Sequence, residues 1–456
     1  MKKVFLWLAI ILSLIVLPII ISGLAILEYD SGYRGTYYKI GTVLPRVSDW
    51  FNSLDFHKKG IRFKNHKMAK REPITSPEPD EVNWGRLTWS PLVKEDGFLF
   101  YSSFDYDKGR ATDATVKLVD LKTNKILWKW EPDYKEILRK APKFAKALKQ
   151  EKPWRMDKTE LGISDEKFIR PLHSILNKDG SIVMNLFNGP LVKLNKHGDI
   201  EFVLDHCFYN SIEKHRGEYY VPILTTDPTT GLKEEGIARI NESGELLKTS
   251  TLSSILKSNR MEAHFYGNHV HDANMLHLND IDIIRKTDEY FQEGDLMLSC
   301  RNNSTIYVYR PSTNIIVWHR VGPALHQHDV DYLGRGVFSI FGNDGLYTQK
   351  KSNQSLAWSQ NAISNIYFID SRDGRTTKPF EAAFGYEKVK SMKEGRHRVL
   401  PEGNAVVQTE DSVVYRMGLR HVLWSFEDIQ DGFRMNMQWS RYFKRNEIAK
   451  FWKESE

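Results

Sequence analysis

The chain has 456 residues, 41% of them hydrophobic, long enough for one large domain or two ordinary ones with a sizeable core. Its 65 Lys and Arg against 58 Asp and Glu leave a formal net charge of +7. That near balance lacks the concentrated basic stripe of a dedicated nucleic-acid binder, so no nucleic-acid partner is expected.

Taken in chain order, MKK is followed by VFLWLAIILSLIVLPIIISGLAIL, residues 4–27, without a charge. At helical rise this run spans about 36 Å, enough to cross a bilayer core. No clean small-x-small cleavage site follows, so residues 1–27 read as a signal anchor, a single transmembrane helix contacting the membrane through residues 4–27. Pro18 is tolerated in such a helix. Lys2 and Lys3 precede the run and Glu28 and Asp30 follow it. This bias places the large domain outside the cytoplasm, as in an inner-membrane protein facing the periplasm. A cleaved signal peptide is the alternative. Residues 28–83 read as a linker and peripheral N-terminal segment.

From residue 84 to 456 short apolar runs alternate with Gly, Asn and Asp. Six pieces share a strand–turn–strand arrangement: 119–130, 194–205, 240–250, 309–320, 369–380 and 415–426. Trp128, Trp318 and Trp424 occupy the same place in three of them. The turn-opening residues recur every 46 to 75 positions, against about 40–50 residues for a four-stranded propeller blade. The expected fold is therefore all-β: a six-bladed β-propeller over 84–456 with loop insertions and a C-terminal extension. One insertion, 131–154, is rich in Ala, Leu, Lys and Glu and predicts a short helix. A second, 280–295, reads as a charged excursion. No phosphate loop or glycine-rich strand-to-helix unit is present, which argues against a nucleotide-binding domain. Cys207 and Cys300 are the only cysteines, so this is no disulfide scaffold, and their spacing leaves a pairing open.

Three histidine-bearing segments precede strand-rich units: RPLHSILNKDGSIVMNL (170–186), NHVHDANMLHL (268–278) and LHQHDVDYLGRGVFSIF (325–341). Equivalent positions on different blades face one axis, so His173, one of His269/His271 and one of His326/His328 converge there. With Asp272 and Asp329 these side chains have donor chemistry for zinc. HVHDAN nevertheless departs from the HxHxDH metal motif, because Ala273 and Asn274 follow the aspartate. The aspartates can instead orient imidazoles or accept backbone N–H groups. A metal-dependent hydrolase and a noncatalytic propeller that binds glycans or assembles an envelope complex are the alternatives. Structural calcium is a separate possibility.

Several ordered motifs together resemble the bacterial arylsulfate sulfotransferase family, which uses no nucleotide sulfate donor. They are LHSILNKDGSIV, NHVHDANMLHL followed by LMLSCRNNSTIYVYRPSTNIIVWHRVG, LHQHDVDYLGRGVFSIFGNDG, and RHRVLPEGNAVVQTEDSVVYRMGLRHVLWSF. The resemblance covers roughly residues 84–443. It implies a six-bladed propeller that passes a sulfuryl group from an aryl sulfate to a phenol through a sulfohistidine. No cofactor is expected for that transfer. Carried over by motif, His328 becomes the nucleophile, with His173, His269 and Arg301 around it. His271, Asp272, His326, Gln327, Asp329 and Asn343 become supporting or substrate-binding residues. His173 or His269 would then protonate the departing phenolate.

Overall fold

Asn and Gly supply the left-handed backbone that tight strand connections need, and the chain folds into hairpins where they stand. Asn124, Gly198, Gly244 and Asn314 have φ of 52°, 93°, 86° and 58°. Each lies in the turn just before an outer strand begins. All six strand–turn–strand pieces are paired antiparallel strands, as between Thr115–Asp120 and Lys125–Trp130 or Thr305–Arg310 and Ile315–Val321.

The computed structural model describes residues 85–89, 95–104, 114–149, 169–226, 231–267, 274–345, 347–349, 356–358, 363–430 and 433–452. They belong to one compact unit, Lys70–Glu456. The expected anchor at 1–27 and linker at 28–83 lie outside the described residues. Among the described residues no helix is long and apolar enough to cross a membrane.

The fold is all-β and propeller-like. Sheets form from strands consecutive in sequence, and every pairing is antiparallel. Pro171–Leu176 through Leu246–Thr251 form an eight-stranded sheet. Four-stranded sheets follow, one from Leu278–Ile283 to Ile315–Val321 and one from Asp329–Gly334 to Thr376–Thr377. A six-stranded sheet runs from Arg396–Val399 to Val422–Gln430 and takes Gly85–Trp89 as an edge strand. Two sheets break the sequential rule: Gly85–Trp89 pairs with Val422–Gln430, and Asn436–Lys444, near the end of the chain, pairs with Gly97–Phe104, so both join the end of the unit to its beginning. Apolar clusters fill the space between neighbouring sheets, for example Val308, Val330, Phe338 and Ile369.

Two insertions differ from expectation. Residues 131–149 form two short helices, Tyr134–Lys140 and Pro142–Lys149, rather than one. Proline at the first position of the second helix starts a new turn but cannot continue the previous one. Residues 150–154 lie outside the described set. The start of the expected excursion at 280–295 is no excursion at all. Leu278–Ile283 is a strand, and Asp280 within it is buried. Its charges misled because Asp280 and Asp282 accept from Val330 N and Tyr332 N of the neighbouring Asp329–Gly334 strand. Cys207 and Cys300 are both buried and are not joined in a disulfide.

The joining of the two ends carries a buried ion pair. Lys117 Nζ donates to Asp428 Oδ2 at 2.6 Å, and both side chains are fully enclosed. Removing one partner strands the other charge in a poorly solvating interior. Lys117→Met should cost about 3–5 kcal/mol in urea unfolding, whereas Lys117→Met with Asp428→Leu should recover most of it. A single variant as stable as the native chain would show the pair to be dispensable.

Candidate functional site

The stretch 322–345 folds back on itself. Asp329 is paired with Phe341, and His328 N donates to Phe341 O at 3.1 Å, so His328 stands opposite the strand end that carries Asn343. His328 Nδ1 donates to Asn343 Oδ1 at 2.6 Å, with His326 O at 3.1 Å. The amide of Asn343 cannot turn round, because its Nδ2 donates to Ser391 O at 2.7 Å and Glu394 O at 2.9 Å. The ring proton of His328 is therefore on Nδ1, and Nε2 presents its lone pair. No hydrogen bond engages Nε2 among the described residues. Burial, and then the charge of Arg301, pull the imidazole down to about 3. His328 is neutral at any physiological pH.

Gln327 fastens this strand to its neighbour. Its Nε2 donates to Cys300 O and Thr305 O, both at 3.1 Å, bracketing the turn that carries Arg301. Arg301 is itself buried, and its charge acts on both His328 and His326. His326 adopts φ 53° and donates from Nδ1 to Gly345 O at 2.7 Å. It shapes the loop, and its carbonyl faces the Nδ1 proton of His328.

His173 arrives from the Pro171–Leu176 strand. Its ring lies 4.4 Å from the ring of Trp439, and Trp439 lies 6.5 Å from His328. The indole thus links the two histidines. Arg396 donates from Nη1 to His173 Nε2 at 3.3 Å. Burial, then Arg396 and Arg441, hold His173 well below the usual imidazole range. An imidazolium at His173 is disfavoured, so this ring offers a neutral N–H donor and not the proton donor expected from the sequence.

Of the expected residues, the structure brings His328, His173, Arg301, Asn343, Gln327 and His326 to one neighbourhood. Asp329 follows His328 in sequence but serves another group. Its Oδ2 accepts from His397 N at 2.7 Å and from His397 Nδ1 at 2.6 Å. It therefore orients His397 and not His328. His269, His271 and Asp272 lie outside the described residues. Asp329, Asp331 and His397 place metal-type ligand atoms within 4.8 Å of one another. His397 Nε2 meets Ser339 Oγ at 2.8 Å there.

Trp439, Arg396 and His397 were missed by sequence reading. Trp439 sits inside NMQWSRYFK, an ordinary strand sequence, yet has φ 42°. For a bulky residue such backbone strain costs about 1–3 kcal/mol and clusters at functional sites. A cavity of about 560 Å³ opens beside the Arg301 turn, lined by His264, Phe265, Asn274, Met275, Asn302 and Asn303 among others.

The depressed basicities of His328 and His173 tie stability to pH. Their folded values lie below the unfolded value of about 6.5, so the unfolded chain binds more protons in acid. Their contribution is complete above about pH 6.5 and is lost as pH falls toward the folded values, about 3 for His328. The slope reaches about 1.4 kcal/mol per pH unit per histidine. Urea unfolding from pH 7 to 4 should show it, and His328→Asn should make it shallower. An unchanged slope would mean that His328 titrates normally in the fold.

The family model for arylsulfotransferase (ASST) matches residues 222–414, a stretch containing Arg301, His328, Asn343 and Arg396 but not His173 or Trp439. No curated protein matches the chain. Solved structures with some likeness include hydrazine synthase of Kuenenia stuttgartiensis, with TM-score 0.40 and 10% identity over 67% of this chain and 70% of that one. The WD40 β-propeller domain of Doa1 has TM-score 0.36 and 10% identity over 76% and 79%. The C-terminal WD40 domain of Sif2 has TM-score 0.35 and 11% identity over 77% and 94%.

Proposed function

We propose that this chain, whose residues 222–414 match the arylsulfotransferase family model, is an enzyme that moves a sulfuryl group from an aryl sulfate to a phenol through His328. The observation that carries this reading is the fixed tautomer of His328. Asn343 holds the Nδ1 proton, and Nε2 keeps a free lone pair. Attack of Nε2 on sulfur forms the N–S bond, breaks the S–O bond to the aryl group and releases a phenolate. The ring becomes cationic as this happens, and Asn343 Oδ1 and His326 O accept the Nδ1 proton more strongly. Arg301 meets the sulfuryl oxygens with directed donors. In the second half-reaction a phenol oxygen attacks sulfur, the N–S bond breaks, and the phenol proton passes to the released phenolate or to water.

The depressed basicity of His328 supports transfer over storage. A weakly basic imidazole is a poorer nucleophile but a better leaving group, so its sulfuryl adduct stays reactive toward the acceptor. A phenol, whose pKa is near 10, leaves and attacks more readily than an alcohol. We propose six blades for this fold, taking the eight-stranded sheet as two. In support, its two halves pack on one another through Ile175, Val183 and Leu191 against Val221, Ala238 and Ile240. Residues 1–27 are proposed as the membrane anchor and residues 28–83 as the linker to the domain at 84–456, which lies outside the cytoplasm. Alkaline extraction of native membranes should leave the full-length chain in the pellet, and its release in soluble form would remove the anchor.

The product assay separates transfer from hydrolysis. With an aryl sulfate and a second phenol, donor turnover should rise and the second phenol should appear as its sulfate ester. Inorganic sulfate as the dominant product across a panel of phenols would favour a sulfatase. Activity that falls in step with metal removed, and returns with it, would favour the hydrolase reading around Asp331 and His397.

A further inference from the structure

A guanidinium carries donors only, so the contact from Arg396 Nη1 requires His173 Nε2 to present its lone pair. The ring proton of His173 then sits on Nδ1. That atom is buried and meets no hydrogen-bond partner among the described residues. Protonating Nε2 would set a second N–H against the guanidinium, with no acceptor between them.

Arg396 cannot easily turn away. Its Nη2 lies 3.7 Å from Glu213 Oε1, and the carboxylates of Asp329, Glu213, Asp280 and Asp331 all stabilise its charge. Glu213 is held in turn by Arg441 Nη1 at 2.9 Å and also pairs with Arg285. Arg441 is anchored through Nη2 to Ile212 O at 2.6 Å and through Nε to Ser174 O at 3.1 Å. The charged groups acting on His173 are Arg396, from the Arg396–Val399 strand, and Arg441, from Asn436–Lys444. The other two neighbours are neutral: Trp439 against the ring, and Asn185, whose Oδ1 accepts from His173 N at 3.1 Å. Both charges near the ring are therefore positive, and no carboxylate is paired with it.

We propose that Arg396 is a positioning residue that locks His173 in its neutral Nδ1–H tautomer, so that His173 serves the sulfuryl site as a fixed hydrogen-bond donor. The role of His173 in this statement rests on His328 being the nucleophile. The departing phenolate then leaves with stabilisation from a neutral N–H and takes its proton from solvent. Donors with better leaving groups should gain most, because no imidazolium is on hand to protonate a poor one.

The lock is read without substrate, in full-length protein with isotope-labelled histidines. His173 is assigned by the signal lost in His173→Asn. Nitrogen shifts should show the Nδ1–H tautomer and no titration between pH 5 and 8. In Arg396→Met the ring should lose its tautomer preference, with Nε2–H becoming populated, while burial and Arg441 still hold its basicity down. Turnover of the donor at saturation should fall about tenfold to a hundredfold, with KM changed less. Arg396→Lys, which keeps a cationic donor, should restore the tautomer and part of kcat. An Nε2–H tautomer or an ordinary titration in the native protein would overturn the lock, whether or not the Met variant folds. So would a folded Met variant in which His173 and kcat are unchanged. Failure of sulfuryl transfer itself would appear instead in the product assay.

Discussion

Replacing His328 by asparagine should lower donor turnover by on the order of 10⁴-fold or more, the scale seen when a covalent nucleophile is removed. Asparagine places its amide near the position of Nδ1, so it can still donate to Asn343 Oδ1 while offering nothing where Nε2 stood. The hydrogen bond that secures the strand end at 2.6 Å is thus conserved and the nucleophile is lost. Native protein incubated with an aryl sulfate and no acceptor should carry a sulfuryl adduct on the peptide containing His328, found by mass spectrometry without strong acid. The variant should carry none. Because burial and Arg301 hold His328 near 3, its lone pair is available throughout the range from pH 5 to 8. The nucleophile should therefore impose no acid limb on the rate there, unlike an ordinary imidazole with a pKa near 6.5. An active asparagine variant, or an adduct on another residue of the native protein, would sink the assignment.

The hairpins were legible because their turns demand particular backbone. Asn124, Gly198, Gly244 and Asn314 take left-handed φ where few other residues do so cheaply. His173 and His328 were legible as candidates from their recurrence in histidine-bearing segments ahead of strand-rich units, although His173 itself lies inside Pro171–Leu176. What lay hidden depends on contacts across the axis, between residues far apart in sequence. Asp329 accepts from an imidazole and from a backbone N–H, as expected of it, but its partner in both is His397, 68 residues away, which no local spacing announces. Arg396 and His173 are separated by 223 positions, and no local spacing could announce that hydrogen bond. Trp439 likewise gave no signal, since an indole inside a strand is usual and its φ of 42° is not written in the sequence. Asp280 and Asp282 read as part of a charged loop for a related reason: hydropathy takes an acidic strand residue for a solvated one, whereas here both accept backbone N–H groups of a neighbouring strand.

Arg301→Lys should lower kcat/KM for the aryl sulfate by about 10²–10³-fold, although charge is retained. Arg301 sits in the turn after Leu296–Cys300, and that turn is held on both sides. Its backbone N donates to His277 O at 3.0 Å, and Gln327 ties down Cys300 O and Thr305 O around it. A head group carried by so fixed a backbone is aimed, not merely present. The sulfuryl group presents three oxygens whose charge shifts as the S–O bond breaks, and a planar fork of donors can follow two of them at once. An ammonium offers a point charge on a flexible stem, which keeps the long-range attraction for the anionic donor but loses the alignment. The loss should therefore fall mainly on kcat, with KM rising less. Removing the head group altogether with Arg301→Ala should take KM up as well, and added guanidinium ion should restore part of the rate to that variant alone. Native kcat/KM in Arg301→Lys would place Arg301 outside the reaction, and its charge would then act on His328 only through the basicity of the ring.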